Sequence, residues 1–113
     1  MEQQNCNLNS KTLSNLKYYM PEQKTLRQLA NVFFLFADET RLKIISALAL
    51  SNMCVGDLSQ SLSINQTTLS HQLRALKNFD IVADKREGKS IVYSLKNDFV
   101  CNIMNDAVDY ILS

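Results

Sequence analysis

The chain has 113 residues, of which 46% are hydrophobic and 20% are charged. This length suits one globular domain, and the composition excludes an intrinsically disordered chain. Only two glycines and one proline occur, which favours helices over the frequent tight turns of a β-sandwich or barrel.

Location signals and cysteine usage point to the cytoplasm. No apolar run approaches the roughly 18 residues of a membrane span, and the polar stretch 1–10 lacks the apolar core of a signal peptide. Cys6, Cys54 and Cys101 are far apart and odd in number. We therefore expect reduced thiols rather than a disulfide framework.

Basic residues concentrate in one part of the chain, although the formal net charge is only +1. Residues 66–96 hold six basic and three acidic side chains, whereas the remainder holds six basic and eight acidic ones. A basic segment in an otherwise acidic chain is consistent with binding to nucleic acid, although a solvated surface has the same composition.

The chain is predicted to begin with a flexible arm over residues 1–10, followed by a single domain over residues 11–113. After the arm, Leu13 and Leu16 lie at helical spacing. Pro21 then fits the first turn of the next helix, where the missing N–H is not needed.

Two further helices are predicted, with a junction at Asp38. Apolar residues between positions 22 and 37 follow the 3.6-residue period of a helix with one buried face. Asp38 is a good capping residue and is expected to begin the second helix. That helix is expected to bury four apolar residues at helical spacing, Leu42, Ile45, Leu48 and Ala49.

A helix-turn-helix is predicted between residues 55 and 78. One face of a short helix is marked by Val55, Leu58 and Leu62, and residues 63–65 form a polar turn before Gln66. The next helix buries three leucines at helical spacing, Leu69, Leu73 and Leu76. Its opposite face then presents Thr67, His71, Arg74 and Asn78 to solvent.

The hydrophobic period changes to two after Asp80, which predicts a β-hairpin with strands over 81–86 and 90–95. Residues 87–89 form its turn. A helix-turn-helix followed by a basic hairpin is the order of a winged helix, in which the hairpin is the wing. We therefore predict a mainly α fold with a β-hairpin wing.

The last helix, over residues 97–112, carries two apolar rows, more than one small domain can cover. A second exposed row is typical of contact with another copy of the chain. We predict a homodimer formed through the N- and C-terminal helices. The interface residues expected are Leu13, Leu16, Val100, Met104, Val108 and Ile111.

The second helix of the helix-turn-helix carries the short polar side chains that major-groove reading requires. Those expected at base edges or nearby phosphates are Gln66, Thr67, Thr68, Ser70 and His71. Cations expected on the DNA backbone are Arg74 and Lys77 in this helix and Lys85, Arg86 and Lys89 in the wing. The predicted partner is double-stranded DNA, although polar residues also cap helices without binding anything.

A protein-interaction module is the rival interpretation, in which the same outward face docks another protein. DNA binding through several phosphates would weaken steeply with salt, whereas a mixed protein interface need not. An enzyme is not indicated, because His71 is the only histidine and no nucleophile or orienting group accompanies it.

Four segments resemble motifs of the ArsR/SmtB family of winged-helix transcriptional regulators. They are FADETRL at 36–42, CVGDL at 54–58, TLSHQLRAL at 68–76, and the wing residues REGK and VYSL between 86 and 95. The match covers roughly residues 26–112. The resemblance implies a homodimeric repressor that an inducer releases from its operator, the inducer being a metal, a metalloid or a sulfur or oxidant signal.

The family's inducer sites are only partly present. One lies on the last helix, where the resemblance places Asn97, Phe99, Tyr110 and Ser113, none of which is a good zinc ligand. We therefore expect no zinc, cobalt or nickel site of that type. The same helix offers Asp98, Cys101, Asp106 and Asp109 instead, and these acids are typical of a solvated face.

A second family site uses two cysteines of a C-V-C motif, sometimes joined by cysteines of the arm. Gly56 replaces the second cysteine here, which leaves Cys54 and Cys6 as candidate ligands for a soft metal or metalloid. The alternatives are that Cys54 is a small buried residue, or that two of the three thiols form a redox switch.

Overall fold

The computed structural model describes residues 7–113, which form six helices and three strands. In chain order these are α1 (Ser10–Tyr19), α2 (Gln23–Phe36), α3 (Glu39–Leu50), β1 (Met53–Cys54), α4 (Val55–Leu62), α5 (Gln66–Asn78), β2 (Val82–Glu87), β3 (Ser90–Leu95) and α6 (Phe99–Leu112). The chain divides into two compact units, the first ending at Asn31 and the second comprising Val32–Ser113. The proposed arm and single domain stay a prediction.

Capping residues fix where the first helices begin. Asn9 Oδ1 accepts a hydrogen bond from the Thr12 amide at 2.8 Å and so opens α1. Met20 ends that helix in an extended conformation, as expected for the residue before Pro21. Asp38 opens α3 as predicted, because its Oδ2 accepts from the Arg41 amide at 2.9 Å.

The core of the second unit lies between α3, α4, α5, the wing strands and the start of α6. Every buried side chain in the described part of the chain is apolar. Those fully withdrawn from solvent are Ile44, Ile45, Leu58, Leu69, Leu73 and Leu76. The helix-turn-helix therefore packs through the leucine positions that the sequence predicted for it.

The buried face of α3 differs from the prediction. Ala49 is exposed, Leu42 is only half-buried, and Ile44 and Ala47 are buried instead. Because residues 47–50 are all apolar, the sequence fits more than one helical face, and packing against α4 and α6 decides between them.

The three strands form one antiparallel sheet in the order β1-β3-β2. The hairpin was predicted, whereas β1 was not. Met53 pairs with Tyr93 and Cys54 pairs with Val92, so the sheet joins the segment before α4 to the wing.

The structure confirms the mainly α winged-helix fold with a β-hairpin wing, and α6 begins two residues later than expected. Among the helices of residues 7–113, none has both the length and the apolar character that a membrane crossing requires.

Candidate nucleic-acid interface

The start of α5 is held by the residue before it. Asn65 Oδ1 accepts a hydrogen bond from the Thr68 amide at 2.8 Å, which satisfies one of the free N–H groups of the first turn. The three core leucines of α5 then fix its rotation. As a result, the side chains predicted to read DNA are all exposed: Gln66, Thr67, Thr68, Ser70, His71 and Arg74.

The turn between α4 and α5 is closed by Ser59 and Ser63. Ser63 adopts a left-handed conformation with φ 54° and ψ 44°, which reverses the chain after α4. Ser59 Oγ donates to the Ile64 carbonyl at 2.6 Å, and the Ile64 amide donates to the Ser59 carbonyl at 3.2 Å. The predicted turn is therefore supported by the backbone of Ser63 and by the side chain of Ser59, which the sequence pattern did not single out.

The wing presents the predicted cations at its outer end. Lys85, Arg86 and Lys89 are all exposed around the turn at Gly88. Gly88 has φ +63°, a conformation that favours glycine. Arg86 Nε donates to the Gly88 carbonyl at 3.3 Å.

Two lysines of the basic segment are engaged in ion pairs. Lys77 Nζ lies 2.9 Å from Asp84 Oδ2, and Lys96 Nζ lies 2.9 Å from Asp80 Oδ1. Asp84 raises the pKa of Lys77 above its ordinary value of 10.5, first through the hydrogen bond and then through its charge. The sequence predicted Lys77 on the DNA backbone, but in the structure its ammonium group is bound to β2.

The other predicted cations belong to none of the ion pairs found within residues 7–113: Arg74, Lys85, Arg86 and Lys89. Arg74 lies on the wing side of α5, where a cleft of about 280 Å³ separates the helix from the hairpin. The positive charge available to a ligand therefore lies along the side of α5 that faces the wing and on the wing itself.

A side-chain hydrogen bond ties α5 to α3. Arg41 Nε donates to Gln72 Oε1 at 2.6 Å, and both side chains are partly buried. Neither residue was a predicted site residue, although Arg41 belongs to the FADETRL motif and Gln72 to the TLSHQLRAL motif. This bond holds α5 from one flank of its leucine face.

Cys54 and Cys101 are free and half-buried. Cys54 ends β1 and stands at the N-cap of α4 without a side-chain capping bond. Its predicted co-ligand Cys6 lies outside the described residues. Within residues 7–113, no three His, Cys, Asp or Glu side chains are grouped so that they could hold a metal ion.

The last-helix positions that the resemblance singled out make local contacts at the two ends of α6 or are exposed. Asn97 Oδ1 accepts from the Phe99 amide at 3.0 Å, while Phe99 and Tyr110 are exposed aromatic residues and Ser113 Oγ donates to the Tyr110 carbonyl at 2.9 Å. These residues therefore cap and flank α6.

The predicted dimer residues fall into two groups. Leu13, Leu16, Val108 and Ile111 are exposed, and Ile111 is 75% exposed. Val100 is only 5% exposed in the core of the chain, and Met104 packs against that core. Val100 thus has little surface left for a second copy.

Comparison with known proteins places the chain in a family. The model of the arsR family of bacterial regulatory proteins matches residues 38–84. A transcriptional repressor SmtB homolog from Synechocystis sp. is 33% identical over 102 residues, which cover 88% of this chain and 77% of that protein. The chain belongs to the ArsR family. Its helix-turn-helix and the first three residues of β2 lie within the matched segment.

Other relatives agree with this membership. A cadmium resistance transcriptional regulatory protein CadC homolog from Staphylococcus aureus is 38% identical over 80 residues, covering 70% of this chain and 66% of that protein. The homodimeric winged helix-turn-helix DNA-binding domain of a possible ArsR-family regulator from Mycobacterium bovis aligns with a TM-score of 0.71 and 27% identity, covering 83% of this chain and 93% of that one.

Proposed function

We propose that this ArsR-family protein is a dimeric, sequence-specific transcriptional repressor that an inducer releases from operator DNA. The observation that carries the proposal is the exposed polar face of α5 beside a cationic wing. A helix with short polar residues near its N-terminus fits the major groove, and cations beside it can hold the phosphates. We place this activity in the cytoplasm, in a single domain over residues 11–113.

The proposed roles follow the exposure of each side chain. Base edges and nearby phosphates are contacted by Gln66, Thr67, Thr68, Ser70 and His71. The DNA backbone is held by Arg74 in α5 and by Lys85, Arg86 and Lys89 in the wing. Among these, Gln66 is proposed to pair with adenine through two hydrogen bonds, which its amide group allows.

Two copies are proposed to associate through the terminal helices. The exposed apolar side chains of α6, with Leu13 and Leu16 of α1, provide the contact surface. The Mycobacterium bovis relative is homodimeric, which supports the same assembly here. A two-fold dimer would present two copies of α5 to two half-sites of one operator.

The inducer is proposed to act through Cys54, alone or with Cys6. Relatives include a cadmium resistance regulator and an arsenical resistance operon repressor from Staphylococcus species, whose names point to soft ions. Thiolates favour such ions. No His-rich alternative exists, because His71 is the one histidine and lies on the reading face.

The DNA-reading assignment is tested with Thr67→Ala combined with His71→Ala. Fluorescence anisotropy would compare binding to a duplex that the wild-type protein selects from random DNA with binding to an unrelated duplex. Discrimination between the two should fall by at least about thirtyfold, since two base contacts of roughly 1–3 kcal/mol each are removed. Asn78→Ala, at the far end of α5, is the control and should discriminate like wild type. Unchanged discrimination in the double variant would refute the groove assignment.

The inducer assignment needs a separate experiment. Arsenite, cadmium or zinc is added to the reduced protein on the selected duplex, and Cys54→Ser is compared with Cys101→Ser. Release of the wild type and of Cys101→Ser, but not of Cys54→Ser, is expected for a thiol-binding ion. Release of all three proteins alike would place the inducer elsewhere.

A further inference from the structure

An ion pair joins the C-terminal end of α5 to the wing strand β2. Lys77 Nζ and Asp84 Oδ2 are 2.9 Å apart, and the side chains are 53% and 27% exposed. Asp84 is the more enclosed partner, and it pairs across the sheet with Tyr93. The contact therefore connects the helix that carries the reading residues to the base of the hairpin that carries three cations.

The pair lies beside the cleft between α5 and the wing. Ser70, Arg74 and Lys77 are spaced at i, i+4 and i+7, and they line this cleft together with Asp84 and Tyr93. Two cations thus face the wing, but only one of them, Arg74, is outside the ion pair. Arg74 and Lys77 were both predicted to contact the DNA backbone, but only Lys77 is engaged in this ion pair.

The position of the wing relative to α5 decides whether both can contact one duplex. A binding site is more effective when supporting contacts hold its groups close to the geometry that the ligand requires. Ile81 and Val82 anchor the start of β2 in the core. Beyond them, Asp84 is the side chain of β2 that reaches α5 through a hydrogen bond to Lys77.

We propose that Asp84 is a positioning residue for DNA binding, which holds Lys77 and thereby fixes the wing relative to α5. Lys77 is then neutralised within the protein and does not contact a DNA phosphate. The phosphate contacts come from Arg74 and the wing cations. This inference rests on the proposed DNA-binding function and removes Lys77 from the predicted backbone contacts.

The first test counts phosphate contacts. Affinity for the selected duplex is measured across a series of salt concentrations for wild type, Lys77→Met and Arg74→Met. Each lost phosphate contact lowers the slope of log affinity against log salt by about 0.9. Arg74→Met should show this decrease, while Lys77→Met keeps the wild-type slope. A decrease in Lys77→Met equal to that in Arg74→Met would overturn the inference.

The second test separates positioning from charge. Asp84→Asn and Asp80→Asn each remove one acid from a Lys–Asp pair of 2.9 Å, but only Asp84 lies on a wing strand. Asp84→Asn should bind the selected duplex more weakly than Asp80→Asn, by up to about fivefold, the upper end of the range expected for an exposed ion pair. Asp84→Glu, which keeps the carboxylate, should recover the affinity.

Two results of this comparison would overturn the positioning role. One is equal affinity of Asp84→Asn and Asp80→Asn. The other is a rise of about 0.9 in the salt slope of Asp84→Asn, because Asp84 would then only shield a Lys77 able to reach phosphate. If circular dichroism shows that Asp84→Asn does not fold, the slope of log affinity against log salt for Lys77→Met still tests the inference.

Failure of the inference differs from failure of the proposed function. A wild-type protein that selects no duplex from random DNA overturns both. A wild-type protein that selects one, with a Lys77→Met slope reduced like that of Arg74→Met, leaves the repressor proposal intact and overturns only the role of Asp84.

Discussion

At the scale of single residues, Asn65 sets where α5 begins. Its side chain accepts a hydrogen bond from the Thr68 amide at 2.8 Å. Asn65→Ala should lower the free energy of unfolding by about 1 kcal/mol, measured by urea denaturation, because the first turn loses its cap. Asn78→Ala, in the last turn of the same helix, is the control. Equal stability of the two variants would contradict this role.

Ser63 is held in a left-handed conformation with φ 54°. Such a conformation strains any residue with a Cβ, whereas glycine adopts it freely. Ser63→Gly should therefore raise the free energy of unfolding by about 0.5 kcal/mol, after allowing for the extra freedom of glycine in the unfolded chain.

The matched control is Ser61→Gly inside α4, where glycine should destabilise by about 0.5–1 kcal/mol. The opposite signs separate backbone strain from the general cost of glycine. Thermal or urea unfolding of both variants supplies the comparison, and destabilisation by Ser63→Gly would show that its backbone is not strained.

Exposure of single residues could be predicted from sequence, but their partners could not. Three leucines in α5 define its buried face, so the exposure of Thr67 and His71 followed from spacing alone. The Lys77–Asp84 contact joins residues seven positions apart across a turn. Its existence depends on how the hairpin lies on the helix, which no local pattern encodes.

At the scale of elements, the ion pair between α5 and β2 can be followed through the titration of Lys77. Asp84 raises the pKa of Lys77, chiefly through their hydrogen bond. In Asp84→Asn this pKa should fall, as measured from the Lys77 Cε chemical shift by NMR. Asp80→Asn should leave the Lys77 titration as in wild type, and an identical fall in both variants would rule out the specific contact.

The same shift fixes the direction of a pH effect on stability. A lysine whose folded pKa is raised adds stability below its ordinary value of 10.5, and that stability disappears as the pH rises through the folded pKa. The stability difference between wild type and Lys77→Met should thus be constant below about pH 9.5 and shrink above about pH 10.5.

Elements with a clear period were predictable, and those without one were not. In the hairpin, Ile91, Tyr93 and Leu95 recur at every second position of β3, whereas β1 has only two residues and shows no period. The buried face of α3 was predicted wrongly for a different reason, because its consecutive apolar residues 47–50 fit more than one helical face. In both cases tertiary packing supplies the missing information.

At the scale of the whole molecule, association of two copies is the main expectation. Ile111 is 75% exposed near the end of α6. Ile111→Glu should shift the protein from dimer to monomer in sedimentation equilibrium, because a charge would be buried without a partner. Asn102→Glu, on the polar side of α6, is the control and should remain dimeric.

Loss of the dimer should also weaken DNA binding. A monomer engages one half-site, so affinity for the selected duplex should fall by at least about a hundredfold, the lower range expected from losing a linked second site. A fully dimeric Ile111→Glu protein would show that the interface lies away from the end of α6.

The strand order described above makes the middle of the wing differ from its tip. β3 has a neighbour on both sides at Val92 and Tyr93 but only β2 beside it near Ser90. Backbone amides should therefore exchange with deuterium slowly around Val92 and Tyr93 and quickly towards Gly88. The start of β2 is thus held in the core, while the tip of the wing around Gly88 is expected to adjust to the edge of the groove that it contacts.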